Sequence, residues 1–280
     1  DGGFAVRLAD APDVRASRVI LATGGLSVLG GGADGRGFAW AEALGHTLVP
    51  TYPALVPLTG DAPAHHALSG VSVNARVTAT CAASGEKAGS EGGFLFTHRG
   101  WSGPAVLDVS HIVERAARAD ARAEVNICFG FGEEEISANG PVRDRWDESL
   151  RVGGGAASSL SSFLRKSSSL PDRVIQLVLQ EAGVADQPLA RLTRDARRRL
   201  AQTLAAFPIP ATGTEGYRTA EVTGGGVALD EVDPGSGRSK VVPGLWLAGE
   251  VLDAFGPIGG FNFQWAWGTG WTAGVSAARP

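Results

Sequence analysis

The residues best equipped for chemistry lie near the carboxyl end of the chain. Leu245-Trp-Leu-Ala-Gly-Glu-Val-Leu-Asp253 runs on to Gly256-Pro-Ile-Gly-Gly-Phe-Asn-Phe-Gln264. The order is a short apolar strand, an acidic turn, a glycine loop and a helix. Gly249 lets the backbone approach a ligand closely. Glu250 and Asp253 follow the strand's carboxyl end, where their oxygens can accept hydrogen bonds from hydroxyls. Gly259 and Gly260 precede a helix whose free amides and positive dipole end favour an anionic group. In isolation the two carboxylates would be solvated turn residues; their place between a buried strand and a Gly-Gly helix start favours binding.

Other segments repeat the theme. Ser17–Ala22 is an apolar run closed by Thr23, Gly24 and Gly25. It reads as a strand buried on both faces, whose end is where α/β sheets bind ligands. Thr223-Gly-Gly-Gly-Val227 is a second glycine cluster. His98 and Ser102 sit in Thr97-His-Arg-Gly-Trp-Ser-Gly-Pro104, a loop able to present a general acid or an anion site. Equally, Ser102 caps a helix and His98 is a half-exposed loop residue. His65, His66 and His111 lack metal-ligand spacing, and Arg197-Arg198-Arg199 reads as the solvated face of a helix. Cys81 and Cys128 are far apart and read as small hydrophobes.

The elements that position these groups follow from the pattern. Before Tyr52 the chain reads as strand and short helix (Gly37–Gly45), and from Thr212 it turns glycine-rich again. Between them, Val71–Cys81, Gly92–Thr97 and Glu124–Phe131 read as strands, and Pro171–Ala182 and Arg194–Phe207 as helices capped by their neighbours. Ala105, Val109, Ile112 and Ala116 form one stripe of a further helix. The Gly/Ser-rich stretch 140–169 reads as a mobile loop. The expected organisation is an α/β domain in two pieces, 1–52 and 212–280, around an insert, 53–211. A net charge of -4 gives no footprint for nucleic acid or an anionic membrane. The chain has 280 residues and two cysteines, so a globular protein of a reducing, cytoplasmic compartment is expected.

Four motifs in this order, Ala22-Thr-Gly-Gly25, Phe96-Thr-His-Arg-Gly-Trp-Ser-Gly-Pro104, Thr223-Gly-Gly-Gly-Val227 and Ala248-Gly-Glu250 with Gly259-Gly-Phe-Asn262, resemble a bacterial family. It is the FAD/NAD(P)-dependent oxidoreductases of the aminoacetone-oxidase and bile-acid-reductase-like type. The resemblance spans Ala16 to Gly274. It implies an FAD-binding domain of the glutathione-reductase type, split by an inserted domain combining a β-barrel with helices. It places Ala22, Thr23 and Gly24 near the adenosine side or pyrophosphate, with Gly25 and Gly225 in the same site. Gly249 and Glu250 would meet the ribityl-pyrophosphate region, and Gly260, Phe261 and Asn262 would lie beside the isoalloxazine. A reduced flavin is anionic near N1 and C2=O, which suits a helix amino terminus.

One departure matters. The family begins with a βαβ unit carrying GxGxxG, which needs about 30 residues, and nothing before Ser17 can be it. Gly30-x-Gly32-x-x-Gly35 fits the letters but stands too far from its strand, and reads as a mobile turn. The expected function is flavin-mediated hydride transfer to or from a small carbonyl, enone or amine substrate, with NAD(P)H as a possible reductant. In that reading His98 is the proton donor and this stretch alone holds FAD poorly. Two alternatives stand beside it: a fumarate-reductase or ketosteroid-dehydrogenase type flavoprotein, and a non-catalytic fragment or scaffold that never holds FAD.

Overall fold

The computed structural model describes residues 3–27, 34–130, 142–153 and 158–279. The chain divides into two compact units, Asp1–Leu55 with Gly216–Pro280, and Val56–Glu215. The first unit opens with a hairpin of β1 (Phe4–Val6) and β2 (Val14–Ala16), then β3 (Val19–Leu21), α1 (Arg36–Ala43) and β4 (Leu48–Ala54). Gly35, in the left-handed region at φ 76, caps α1. The remainder of the Gly30–Gly35 turn read from the sequence lies outside the described residues, apart from Asp34, whose carboxylate pairs with Arg36.

The second unit contains β5 (Leu58–Thr59), α2 (Pro63–His66), β6 (Ser72–Cys81), β7 (Lys87–Phe96), β8 (Gly100–Ser102), α3 (Pro104–Leu107), α4 (Ser110–Arg118) and β9 (Ala123–Cys128). Then come α5 (Val142–Val152), α6 (Leu160–Ser168), α7 (Asp172–Glu181), α8 (Arg194–Ala205), β10 (Phe207–Ile209) and β11 (Gly213–Thr214). Seven strands form one antiparallel sheet in the order β10-β9-β6-β7-β8-β5-β11. The barrel expected here does not close: among the described residues β10 and β11 remain opposite ends of an open sheet. The two-residue strands β5 and β11 are too short to carry a sheet round on itself. Strand alternation in β6 sends Val73, Ala75, Val77, Ala79 and Cys81 inward. They meet α3 and α4, and a core with Phe94, Phe96, Trp101, Trp146 and Phe207.

Three readings of this region need correction. The stretch 140–169 is not one loop: α5 and α6 occupy most of it, anchored by buried Trp146, Leu150, Leu160 and Leu164. Residues 140, 141 and 154–157 lie outside the described residues. The Ala105–Ala116 stripe is buried throughout but is broken into α3 and α4. Phe207 belongs to β10, not to the helix before it.

The first unit is completed by β12 (Val222–Val227), β13 (Leu245–Leu247) and α9 (Phe261–Ala278). β12 pairs antiparallel with β4, with a bulge between Gly224 and Gly226. β13 pairs parallel with β3 in the register Val19↔Leu245, Ile20↔Trp246 and Leu21↔Leu247. Ile20 is 41% exposed, so β3 is not buried on both faces as its composition suggests. Nor do the small residues of α9 all serve packing. Ala273 is buried beside Trp246 and Ala248, and Ala266 faces Gly249, whereas Gly270 and Gly274 face open space.

Candidate functional site

Parallel pairing of β3 and β13 brings the two strand ends to one level, and Ala248 N–H donates to Leu21 O at 3.1 Å. The segments 22–25 and 248–250 therefore leave the sheet side by side. Glu250 is held at this point. Its Oε1 accepts from Thr223 N–H at 2.6 Å and from Ser27 Oγ at 2.8 Å, and Thr223 Oγ1 in turn accepts from Leu26 N–H at 2.7 Å. Gly25 fills the space between them, where any Cβ would overlap Glu250 Oε1 and Thr223 Oγ1. The sequence gives no local sign that Ser27 and Thr223 hold Glu250; only their proximity after folding reveals it.

The next feature is the start of α9. Gly260 caps it at φ 91, Gly259 precedes it at φ 118, and no side chain caps it. The amides of Phe261, Asn262 and Phe263 precede the first intrahelical bond, which Gln264 N–H makes to Gly260 O. They present the positive end of an 18-residue helix. A cleft of about 350 Å³ opens here, bounded by Glu250, Ile258, Gly259, Gly260, Asn262 and Phe263. A glycine-capped helix end with a carboxylate across a cleft can take an anionic group at one side and hydroxyls at the other.

The remaining residues have more structural duties than their motifs suggest. Gly249 N–H donates to Thr269 Oγ1 at 2.9 Å and its carbonyl accepts from Trp265 Nε1 at 3.2 Å, so its polar groups face α9 rather than a ligand. Asn262 clasps the Gly256 backbone through both amide atoms, at 2.8 and 3.0 Å, fixing the glycine loop. Gly225, at φ 78, sits in the bulge of the fully buried β12 against Pro50. Asp253 N–H donates to Val227 O at 2.9 Å. Phe261 lines a different cavity of about 580 Å³, with Leu229, Val232 and Gln264. Ala22 is exposed, and Thr23 Oγ1, buried against Gly37, has no hydrogen-bond partner among the described residues.

His98 and Ser102 belong to the other unit. His98 is exposed in the turn between β7 and β8, whereas the other four histidines are buried or half-buried. Ser102 lies within β8 opposite Leu95, and Gly103, not Ser102, caps α3. Among the described residues no group of acidic, Cys or His side chains could hold a metal ion.

A second polar cluster of the first unit has the layout of a nucleophile, a histidine and an acid. Ser239 Oγ is 2.9 Å from His46 Nε2, and His46 Nδ1 is 2.8 Å from Glu231 Oε2. Hydrogen bonds from Thr47, then His46 beside them, hold the Glu231 carboxyl below its ordinary range. Yet Ser239 Oγ also accepts from the amides of Val241 and Val242, at 3.1 and 2.7 Å, and both it and His46 are buried. A hydroxyl so engaged, with no described cleft beside it, is a clasp rather than a nucleophile.

A family profile described as HI0933-like protein Rossmann domain matches residues 1–276. The chain belongs to the HI0933-like Rossmann FAD-binding family. Two relatives are ribosomal RNA dihydrouridine synthases, from Haemophilus influenzae and Escherichia coli, each 34% identical over 93% and 92% of this chain. A third, a 3-dehydro-bile acid delta(4,6)-reductase of Clostridium scindens, is 34% identical over 99% of the chain. The chain spans 60% of the length of each dihydrouridine synthase and 66% of the reductase. The HI0933-like assignment makes FAD the group against which the cleft must be tested. The residues fit it: an uncapped helix end for negative charge, a glycine pair that leaves the backbone bare, a fixed carboxylate for hydroxyls, and an orphaned Thr23 hydroxyl at the neighbouring strand end.

Proposed function

We propose that the protein is an FAD-dependent reductase of carbon–carbon double bonds conjugated to a carbonyl. The observation that carries the reading is the uncapped, glycine-led start of α9 opening onto a cleft opposite Glu250. Its family supplies the chemistry. The names of its relatives describe making a dihydropyrimidine and removing a double bond from a bile acid that bears a 3-keto group. Both reactions saturate a double bond conjugated to a carbonyl, and FAD when bound supplies the hydride for such a step.

This chain's residues have separable duties in that reading. The amides at the start of α9 stabilise negative charge on the cofactor. Gly259 and Gly260 keep the approach free of side chains, and Asn262 holds the loop that carries them. Glu250, fixed by Thr223 and Ser27, accepts from cofactor hydroxyls, and Thr23 meets the adenosine side. NAD(P)H is the source of electrons in this reading.

The test is made on the polypeptide as the cell makes it. Flavin is reduced under anaerobic conditions, a 3-keto-4-ene steroid or uridine is added, and reoxidation is followed at the flavin absorbance band. Reoxidation by either acceptor is expected. Gly260→Val should weaken FAD binding at least tenfold, because Gly260 holds φ 91 at the start of α9. Reduced flavin that reacts with oxygen and with neither acceptor would overturn the reading.

A further inference from the structure

The turn that carries Glu250 leaves peptide groups in need of partners. β13 ends at Leu247, Ala248 continues extended at φ -148 and ψ 148, and Gly249 then reverses at φ 76 to start the 3-10 turn Gly249–Val251. Gly249 is buried, so its amide and carbonyl must be satisfied within the fold. Both partners come from α9. Gly249 N–H donates to Thr269 Oγ1 at 2.9 Å, and Trp265 Nε1 donates to Gly249 O at 3.2 Å. Thr269 Oγ1 closes the group by donating to Trp265 O at 2.7 Å.

Positions 265 and 269 are four apart, so the two side chains stand one above the other on the helix. Ala266 comes to 3.8 Å from where a Cβ on Gly249 would stand. A small residue thus lets α9 lie against the bare backbone of the turn, and two hydrogen bonds hook it there. Other contacts hold other parts of the helix. Trp246 Nε1 donates to Ser276 Oγ at 3.1 Å near the far end, and Asn262 ties the amino terminus to the glycine loop before it. The hook at Gly249 lies between them. From Trp265 it is about 6 Å along the axis back to the free amide of Phe261. On the other side of the hook Glu250 is the next residue of the chain, held in turn by Thr223 and Ser27.

We propose that Trp265 and Thr269 are positioning residues of the cofactor site, setting the distance between the Glu250 carboxylate and the free amides of α9. The inference rests on the flavin reading of that cleft and adds to it two residues that the glycine motifs do not contain. Trp265 lines the cleft, whereas Thr269, a turn further on, acts through the backbones of Gly249 and Trp265. The influence of a helix end falls off within its first turn. A helix free to slide along the Gly249 turn therefore loses its hold on the reduced cofactor, the more negative form, more than on the oxidised one. The spacing fixed by the hook sets the potential of the cofactor as well as its affinity.

The complete polypeptide is titrated with FAD by flavin fluorescence, its midpoint potential is read against a reference dye, and the FAD-free form is melted. Thr269→Val keeps the shape of the side chain and leaves Gly249 N–H without its acceptor. It should weaken FAD binding about tenfold, the worth of one hydrogen bond left unmade. It should also lower the midpoint potential by about 30 mV, a tenfold loss of preference for the reduced form in a two-electron couple. Thr269→Ser, which restores the hydroxyl, should return both values to those of the wild type. Trp265→Phe, which keeps a ring and loses the N–H, should move both in the same direction as Thr269→Val, and carries the test by itself if that variant does not fold. A lower melting temperature with affinity and potential unchanged would overturn the proposal, because the hydrogen bonds would then serve the fold alone. So would no change in any of the three. Failure of the flavin reading looks different: the wild type itself would bind no FAD, and this inference would fall with it.

Discussion

At the residue scale, His65 shows how a motif without metal spacing can still have a definite role. It is buried among Phe96, Trp101 and Phe207, and its Nδ1 accepts from Trp101 Nε1 at 3.1 Å. Burial, and then the charge of His66 beside it, lowers its pKa from 6.5 to about 4. The unfolded chain therefore binds a proton at His65 that the folded unit refuses between these values. Stability should be full above about pH 6.5 and decline as the pH falls towards 4. His111, also pushed down by burial, adds to the same decline. Replacing His65 by Gln keeps an acceptor for Trp101 and removes the titration. Urea unfolding at several pH values should then show a shallower acid-side loss in the variant; an unchanged slope would show that His65 does not titrate in this window.

Residue types alone reveal some of the candidate site and hide the rest. Glu250 and the Gly259-Gly260 pair are legible because a carboxylate after an apolar strand and paired glycines before a helix each have a local reason. Gly25 and Gly225 are legible as important glycines, but not for the reason that operates. Gly25 yields space to Glu250 and Thr223, and Gly225 makes a bulge against Pro50. Both reasons arise from segments about 200 residues apart in sequence. Adjacency groups Phe261 with its neighbours, whereas one step round the helix sends it to another cavity.

At the scale of elements, regular periodicity is readable and sparse periodicity is not. The helix read as Pro171–Ala182 is α7, and Thr193 caps α8 by accepting from Ala196 N–H at 3.3 Å. Helix α6 escapes a reading by pattern because four of its residues are serines of modest helix propensity, and α5 because its charged residues leave a sparse apolar stripe. Their stability comes from a few large anchors, Trp146, Leu150, Phe163 and Leu164, and from a cap whose signal is present in the sequence. Ser159 Oγ accepts from Ser162 N–H at 3.2 Å and starts α6. Ser159→Ala should therefore cost about 1 kcal/mol. In a unit of this size that is a fall of roughly 2–4 °C in melting temperature, with flavin binding unaffected. Calorimetry would check it, and a melting point unchanged within error would show that burial alone holds α6.

At the scale of the whole molecule, the first unit displays apolar surface that its own described elements do not cover. Parallel sheets are ordinarily buried on both faces, yet β3 pairs only with β13 among the described residues and exposes Ile20. α9 contains no charged residue, and a helix apolar on all sides belongs inside a protein. Here Phe263, Trp267 and Trp271 are 69%, 73% and 76% exposed, and the first two stack at 6.0 Å. The same helix presents its amino terminus to the proposed cofactor cleft, which Phe263 also lines. Taken as 280 residues alone, the chain should self-associate through this patch and hold FAD weakly. Trp267→Lys with Trp271→Lys should raise the monomer fraction of that 280-residue chain, seen by light scattering across a concentration series. The same pair should leave the fold of the unit intact, because both side chains are already exposed. A 280-residue chain that is monomeric and binds FAD tightly would show that α9 works uncovered, and that its aromatic face is an ordinary solvent surface.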